Sequence, residues 1–262
     1  PVRFSIVIPV YNRLDEVREL LNSAEKLDFD RKEFEFIFVD DGSTEPLKAV
    51  IENYRSASNL EIRYFRQKNQ GPGPARNYGM EMAKGDYIIF IDSDCLLPPN
   101  WLSAIDVHLR HTPLDAFGGP DTCHPDFSPF LKAVNYAMTS FIGTGGTRGS
   151  RKSVGKFYPR SFNMGVSRQV FEKIGGMSRL RHGQDMEYSA RIYNAGFRVG
   201  LIADAHVFHK RRTSWKRFFK QIFNWGVTRI NLGKLDRKMW KPIHFAPLAV
   251  DLAVMLALAS IP

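Results

Sequence analysis

Residues 87–94 read Tyr-Ile-Ile-Phe-Ile-Asp-Ser-Asp. Five consecutive apolar residues running into carboxylates predict a strand, Tyr87–Asp92, with an acidic end. Working outward, apolar runs recur at Phe4–Val10 and Phe34–Asp40, and Ile62–Arg66 reads as the next strand. Between these runs, Leu14–Leu27, Leu47–Ser58 and Pro74–Lys84 carry the apolar spacing of helices facing a core. Downstream, Pro98 and Pro99 open a further helix to about Arg110, since proline suits a first turn. Strand and helix alternating at this spacing predict an α/β fold: a mostly parallel sheet with helices on both faces. Ligands of such sheets sit at the carboxyl ends of the strands. Two of those ends carry acids, Asp40-Asp41-Gly42-Ser43 and Asp92-Ser93-Asp94.

Beyond Asp115 the pattern loosens. Thr144–Lys156 is dense in Gly, Ser, Arg and Lys and reads as a long loop of the lid or binding kind. Ser161–Val166, Phe197–Ile202 and Ala205–His209 read as short strands. Arg168–Ile174 and Gln184–Ala195 read as helices, the second stopped by Gly196. No internal repeat is found.

The acidic strand ends carry the chemistry. Asp92 and Asp94 stand two apart, which on an extended strand points both carboxylates the same way. Two hard oxygens suit Mg²⁺ or Mn²⁺, which in turn holds a diphosphate. A solvated turn is the plain alternative, and the triplet alone does not decide between them. At the neighbouring end, Asp41 either accepts an N–H from a nucleobase or sits in a plain helix-entry turn. Pro9, Tyr11 and Asn12 follow the first strand at the same sheet edge, where Tyr11 offers a ring to pack on the base. In Gln70–Gly79, QGPGPARNYG, two glycines allow close approach, and Arg76 falls in the first turn of the following helix, within reach of phosphates. Asp185 opens a helix after Gly183. It either caps that helix or acts as a general base. His209 ends a strand and is a candidate imidazole partner to Asp94 on a metal.

As an ordered set these residues resemble a family. Pro9-Val10-Tyr11-Asn12, Val39-Asp40-Asp41-Gly42-Ser43, Ala75-Arg76-Asn77-Tyr78-Gly79 and Asp92-Ser93-Asp94 look like the successive signatures of family two glycosyltransferases. Asn163-Met164, Gly175-Gly176-Met177 and Gly183-Gln184-Asp185 continue the series, so the likeness runs from about residue 3 to about residue 215. The resemblance implies a GT-A fold, an inverting mechanism and a nucleotide diphosphate sugar donor. It assigns the base to Asp41, the metal to Asp94, the ribose or a metal-bound water to Asp92, the acceptor side to Asn163 and Met164, and the catalytic base to Asp185. The residue before that base is usually Glu and here is Gln184. The Gln-x-x-Arg-Trp signature of processive synthases is not found, so a single transfer is expected, to a glycan or lipid-linked acceptor.

Composition bounds the setting. The chain has 262 residues, 44% hydrophobic and 24% charged, as an ordinary folded protein does. Phe4–Val10 is too short for a secretory signal. Two cysteines, Cys95 and Cys123, exclude a disulfide framework and make a reducing compartment the default. The net charge of +10 lies in one segment: residues 210–241 hold eleven Lys or Arg and one acid, Asp236. Trp215, Phe218, Phe219, Phe223 and Trp225 are interleaved with those cations, and the apolar run Phe245–Ile261 follows. A bilayer interface selects this combination, whereas nucleic-acid binding leaves the apolar run unexplained. The expected organisation is a catalytic domain over 1–213 and a basic, then apolar, membrane-associated segment over 214–262, with helices lying against or anchored in the cytoplasmic face. A sugar-nucleotide pyrophosphorylase would carry a glycine-rich loop and lysine where this chain has Pro9-Val10-Tyr11-Asn12-Arg13. A non-catalytic nucleotide- or membrane-binding module would not need Asp185.

Overall fold

The computed structural model describes residues 1–139, 156–180, 182–210, 215–237, 240 and 246–259. Most of the Thr144–Lys156 loop read from the sequence lies outside the described residues. The chain divides into two compact units, Pro1–Thr213 and Ser214–Pro262.

The first unit is built on a seven-stranded sheet. Strands β1 (Phe4–Val10), β2 (Phe34–Asp40), β3 (Ile62–Arg66) and β4 (Tyr87–Ile91) are parallel, in spatial order β3-β2-β1-β4. They are joined by α1 (Leu14–Ala24), α2 (Leu47–Ala57) and α3 (Pro72–Met82). The chain thus builds outward from β1 on one side, then crosses to its other side for β4, and this reversal opens a crevice at the strands' carboxyl ends. After β5 (Cys95–Leu96), α4 (Trp101–His111), β6 (Ala116–Gly118), β7 (Asp121–Thr122) and α5 (Pro129–Thr139) comes β8 (Asn163–Ser167), antiparallel to both β4 and β6. Helices α6 (Arg168–Ile174) and α7 (Gln184–Asn194) precede β9 (Val199–Leu201), which pairs with β6 at the sheet edge, and β10 (Val207–His209). A second, three-stranded sheet has the order β5-β10-β7.

Period-two alternation divides the core between the faces of the large sheet. Ile6, Ile8, Phe36, Phe38, Ile89 and Ile91 pack with the α1 stripe Val17, Leu20, Leu21 and Ala24. Val7, Ile37, Val39, Ile88 and Phe90 pack with Ala75 and Met80 of α3. Gly79 brings α3 onto the sheet, because a Cβ there would stand 2.2 Å from Val7 Cγ1. One acid interrupts the alternation in β2. Glu35 is fully buried, and its oxygens accept from the Ser5 hydroxyl (2.7 Å), the Lys84 N–H (2.9 Å) and Arg63 (3.0 Å). A buried carboxylate is tolerable when its lone pairs are filled in this way.

Three local expectations are corrected. Pro98 and Pro99 precede α4 instead of starting it, since the helix begins at Trp101. Helix α3 begins at Pro72, so Arg76 lies in its second turn. The strand expected from Ser161 begins at Asn163.

The second unit contains α8 (Trp215–Leu235) and α9 (Ala246–Ala259). Phe219, Phe223, Val227 and Ile230 of α8 are exposed at intervals of four, four and three residues, so they share one face. Leu248, Val250, Leu252, Val254, Met255 and Leu256 of α9 are also exposed. Among the described residues no helix is long and apolar enough to cross a membrane.

Candidate active site

A cavity of about 620 Å³ opens at the carboxyl ends of β1 and β2. Pro9, Tyr11 and Asp41 line one side; Gln70, Gly71, Arg179 and Gln184 line others. Tyr11 is half exposed and offers a ring face. The two neighbouring acids have different tasks. Asp40 is buried under the turn and accepts from the Ser43 N–H (2.7 Å) and the Tyr64 hydroxyl (2.7 Å). Asp41 faces the cavity, and its Oδ1 accepts from Gln67 Nε2 (2.7 Å) and the Gln70 N–H (2.9 Å). Its Oδ2 accepts from the Gly71 N–H (2.8 Å) and retains a second acceptor direction.

Asn12 stands apart from this wall. Its backbone is left-handed, φ 51°, a conformation Asn tolerates better than most residues. Its N–H donates to Ser43 Oγ (2.9 Å), and its side-chain oxygen accepts from the Thr44 N–H (2.9 Å) and hydroxyl (3.2 Å). Asn12 therefore fixes the Asp41 turn to the end of β1, and its oxygen is committed to that turn instead of a donor.

At the end of β4 the carboxylates part. Residues 92–95 form a turn closed by the Cys95 N–H on the Asp92 carbonyl (3.1 Å), so the extended-strand argument for parallel carboxylates fails. Asp92 pairs with the buried Arg76, Nη2 to Oδ1 2.5 Å. Asp94 instead meets His209, Nε2 to Oδ1 3.2 Å. His209 is brought there by the small sheet, where it lies opposite Cys95, and its ring rests against Phe162 at 4.8 Å. Burial disfavours charge on His209, but Asp94, Asp121 and Asp92 outweigh it and push the imidazole pKa up to about 9.

The donor set at this end fits a divalent ion. One ligand atom each from Asp94, Cys95 and His209 lie within 4.8 Å of one another. Burial, then the charges of Asp94, Asp92 and Asp121, push the Cys95 thiol well above its ordinary value, and it donates to the Phe162 carbonyl (3.7 Å). That leaves a carboxylate and an imidazole, a pairing Mn²⁺ accepts more readily than Mg²⁺, which prefers oxygen alone.

Asp185 occupies the first turn of α7, after Gly183 at φ 80°. Its Oδ1 accepts from the Met186 N–H (2.9 Å), and its Oδ2 accepts from the Ser161 N–H (3.4 Å) with Arg160 Nη1 at 4.0 Å. Its neighbour Gln184 lines the cavity, one residue away.

The resemblance puts Asn163 and Met164 on the acceptor side. Both are buried. Asn163 accepts from Trp101 Nε1 (3.2 Å) and donates to the Ala205 carbonyl (2.7 Å), and Met164 packs in the core. They brace β8 beside β4. Sequence reading missed Asp121, Arg160 and Arg179. Each comes from a segment without periodicity, and only the Gly-Gln-Asp signature after Arg179 marked its neighbourhood.

The mostly parallel sheet, with a cavity at its switch point and helices on both faces, defines an α/β domain of the GT-A type. The chain belongs to glycosyl transferase family 2, whose family model matches residues 5–175. It is 40% identical over 93 residues to the poly(ribitol-phosphate) beta-N-acetylglucosaminyltransferase TarS of Staphylococcus aureus, a match covering 36% of this chain and 16% of TarS. It is 28% identical over 240 residues to the glycosyltransferase AglE of Haloferax volcanii, covering 89% of this chain and 75% of AglE. Among solved structures, residues 1–349 of TarS in complex with UDP-GlcNAc share the fold at TM-score 0.63 and 22% identity, over 81% of this chain and 60% of that one. The mannosyltransferase PcManGT of Pyrobaculum calidifontis, in complex with GDP-Man and Mn²⁺, does so at TM-score 0.69 and 18% identity, over 94% and 67%.

Proposed function

We propose that the chain transfers a sugar from a nucleoside diphosphate sugar to an acceptor hydroxyl, with inversion and with a divalent ion. The observation that carries this reading is the arrangement around the cavity: Tyr11 and Asp41 on one wall, and Gln184, next to Asp185, on another. Complexes of the structural relatives with UDP-GlcNAc and with GDP-Man and Mn²⁺ support the donor class.

In this reading Tyr11 stacks on the base, and Asp41 Oδ2 accepts a base N–H. Arg76 holds Asp92 toward the ribose side. Asp94 and His209 would hold the ion, which when bound offsets charge developing on the leaving diphosphate. Asp185 takes the proton of the acceptor hydroxyl as that oxygen attacks the anomeric carbon. One displacement inverts the configuration.

The acceptor is a glycan or lipid-linked glycan at the cytoplasmic face of a membrane. Support comes from the cations and exposed apolar face of α8 and from the exposed side chains of α9, a surface suited to a headgroup region.

The test is turnover of a panel of UDP- and GDP-sugars with and without Mn²⁺. Hydrolysis or transfer of one donor that requires the ion is expected; failure of every donor to bind or turn over with Mn²⁺ present would overturn the reading.

A further inference from the structure

His209 lies between two carboxylates, at ion-pair distance from each. Asp94 Oδ1 faces its Nε2 at 3.2 Å, and Asp121 Oδ2 faces its Nδ1 at 3.9 Å. The three residues come from separate stretches of chain, brought together by the small sheet. Asp94 immediately precedes β5, Asp121 opens β7, and His209 closes β10 between them. Register fixes the meeting: Val207 lies opposite Asp121 and His209 opposite Cys95. Asp121 is 3% exposed. Gly119 holds the approach to β7 tightly, because a Cβ there would stand 1.8 Å from the Ala205 carbonyl oxygen. The backbone on either side of the Asp121–His209 contact therefore has little freedom.

An imidazole offers a lone pair on one nitrogen only when its proton sits on the other. A carboxylate beside Nδ1 selects the Nδ1–H form and leaves the Nε2 lone pair directed toward Asp94. We infer that Asp121 is the positioning residue that orients His209 and fixes its tautomer for metal ligation. The inference rests on the proposed metal role of Asp94 and His209, and it adds the residue that makes His209 a competent ligand. The loss of such an outer carboxylate typically weakens metal binding 10–100-fold. Asp121→Asn keeps the shape, but its amide can turn an N–H toward Nδ1. The proton then moves to Nε2 and blocks the lone pair.

The experiment measures Mn²⁺ affinity by calorimetry or electron paramagnetic resonance, using the ion alone. Wild type, Asp94→Asn, Asp121→Asn, His209→Gln and the Asp121→Asn/His209→Gln double variant are compared. The expected result is a drop of about 10–100-fold for Asp121→Asn and no further drop when it is added to His209→Gln. A merely structural role would lower affinity in both backgrounds. If wild type binds Mn²⁺ through Asp94 and His209 but Asp121→Asn binds as tightly, this inference alone fails. If wild type does not bind Mn²⁺, the metal reading fails with it. Should Asp121→Asn not fold, the metal-free wild-type chain at a pH high enough to leave the imidazole neutral answers directly. Long-range ¹H–¹⁵N spectra should place the His209 proton on Nδ1, and a proton on Nε2 would overturn the inference.

Discussion

Gly73 lies flat against the carboxamide of Gln184: a Cβ on Gly73 would stand 2.3 Å from Gln184 Nε2. The first turn of α3 thus meets the start of α7 through the Gln184 side chain, with none of its own in the contact. Gln184 Nε2 also donates to the Leu180 carbonyl, and Leu180, Arg179 and Gln184 all line the cavity. Gly73→Ala should push the carboxamide off Leu180 and shift that wall. Overpacking of this kind costs about 1–3 kcal/mol. The expected outcome is weaker UDP or GDP binding by calorimetry, with a modest fall in melting temperature. Unchanged affinity would show that the wall absorbs the methyl.

Gln184 itself gives a second prediction. A glutamate there has no N–H for the Leu180 carbonyl and would face it with another acceptor. Gln184→Glu should therefore weaken donor binding by roughly tenfold, the scale of one lost buried hydrogen bond. Tighter donor binding would remove Gln184 from the wall's construction.

Asp185→Asn separates binding from chemistry. The amide keeps the size of the side chain, and its one oxygen can still accept from the Met186 N–H, while the longer Ser161 N–H contact (3.4 Å) is given up; it is no base. Nucleotide affinity should persist while transfer falls on the order of 10²–10⁴-fold. Transfer at the wild-type rate would exclude Asp185 as the base.

What the sequence made legible follows from physics. Strands β1, β2 and β4 were readable because each is a largely apolar run between amphipathic helices, and β3, Ile-Arg-Tyr-Phe-Arg, from its place in that alternation. The small sheet was not: β5 and β7 have two residues each, too few for any period to show. Its product, the meeting of Asp94, Asp121 and His209, spans 115 positions of sequence and rests on pairing that no local pattern encodes. Asn163 and Met164 looked functional because they stand in a signature, yet their side chains hold β8 to Trp101, Ala205 and the core. The Asp92-Ser93-Asp94 triplet was found for its composition, while its geometry depends on a turn and on Arg76 and His209.

The raised imidazole gives a signed pH dependence for the metal-free chain. His209 rises from 6.5 to about 9 on folding, so its charged form is stabilised by the native state. That contribution is complete below about pH 6.5 and is lost as pH rises through about 9. In EDTA, wild type should lose on the order of 1–3 kcal/mol across this window relative to His209→Gln, measured by denaturant melts. Parallel losses in the two proteins would show that Asp94 and Asp121 do not hold an imidazolium. Where Mn²⁺ binds through Nε2, it must displace a proton in the lower part of this range, so its apparent affinity should rise with pH.

The last prediction concerns α8 and α9. Phe218, Ile222 and Trp225 share one face of α8 at helical spacing. Phe218 and Trp225 are half-buried, while Ile222 is exposed together with Phe219, Phe223, Val227 and Ile230. Lys216 and Lys220 are exposed on the same helix. A helix presenting bulky apolar groups beside cations can lie in a headgroup region, each cation adding about 1 kcal/mol on anionic lipid. Helix α9 is 14 residues long, about 21 Å at 1.5 Å per residue, short of the roughly 30 Å hydrocarbon core. Its exposed Leu248, Leu252, Met255 and Leu256 would then add apolar contact at the surface. The intact chain should co-sediment with phosphatidylserine vesicles at low salt and be released at high salt. Neutralising Lys216, Lys220 and Lys234 to Gln should weaken partitioning by about 100-fold, the product of three such increments. Replacing Phe219 and Phe223 with Ser should weaken it at every salt concentration, because apolar burial is not screened. A chain that stays in the supernatant at low salt with anionic vesicles would sink the membrane reading and leave this surface for a protein partner.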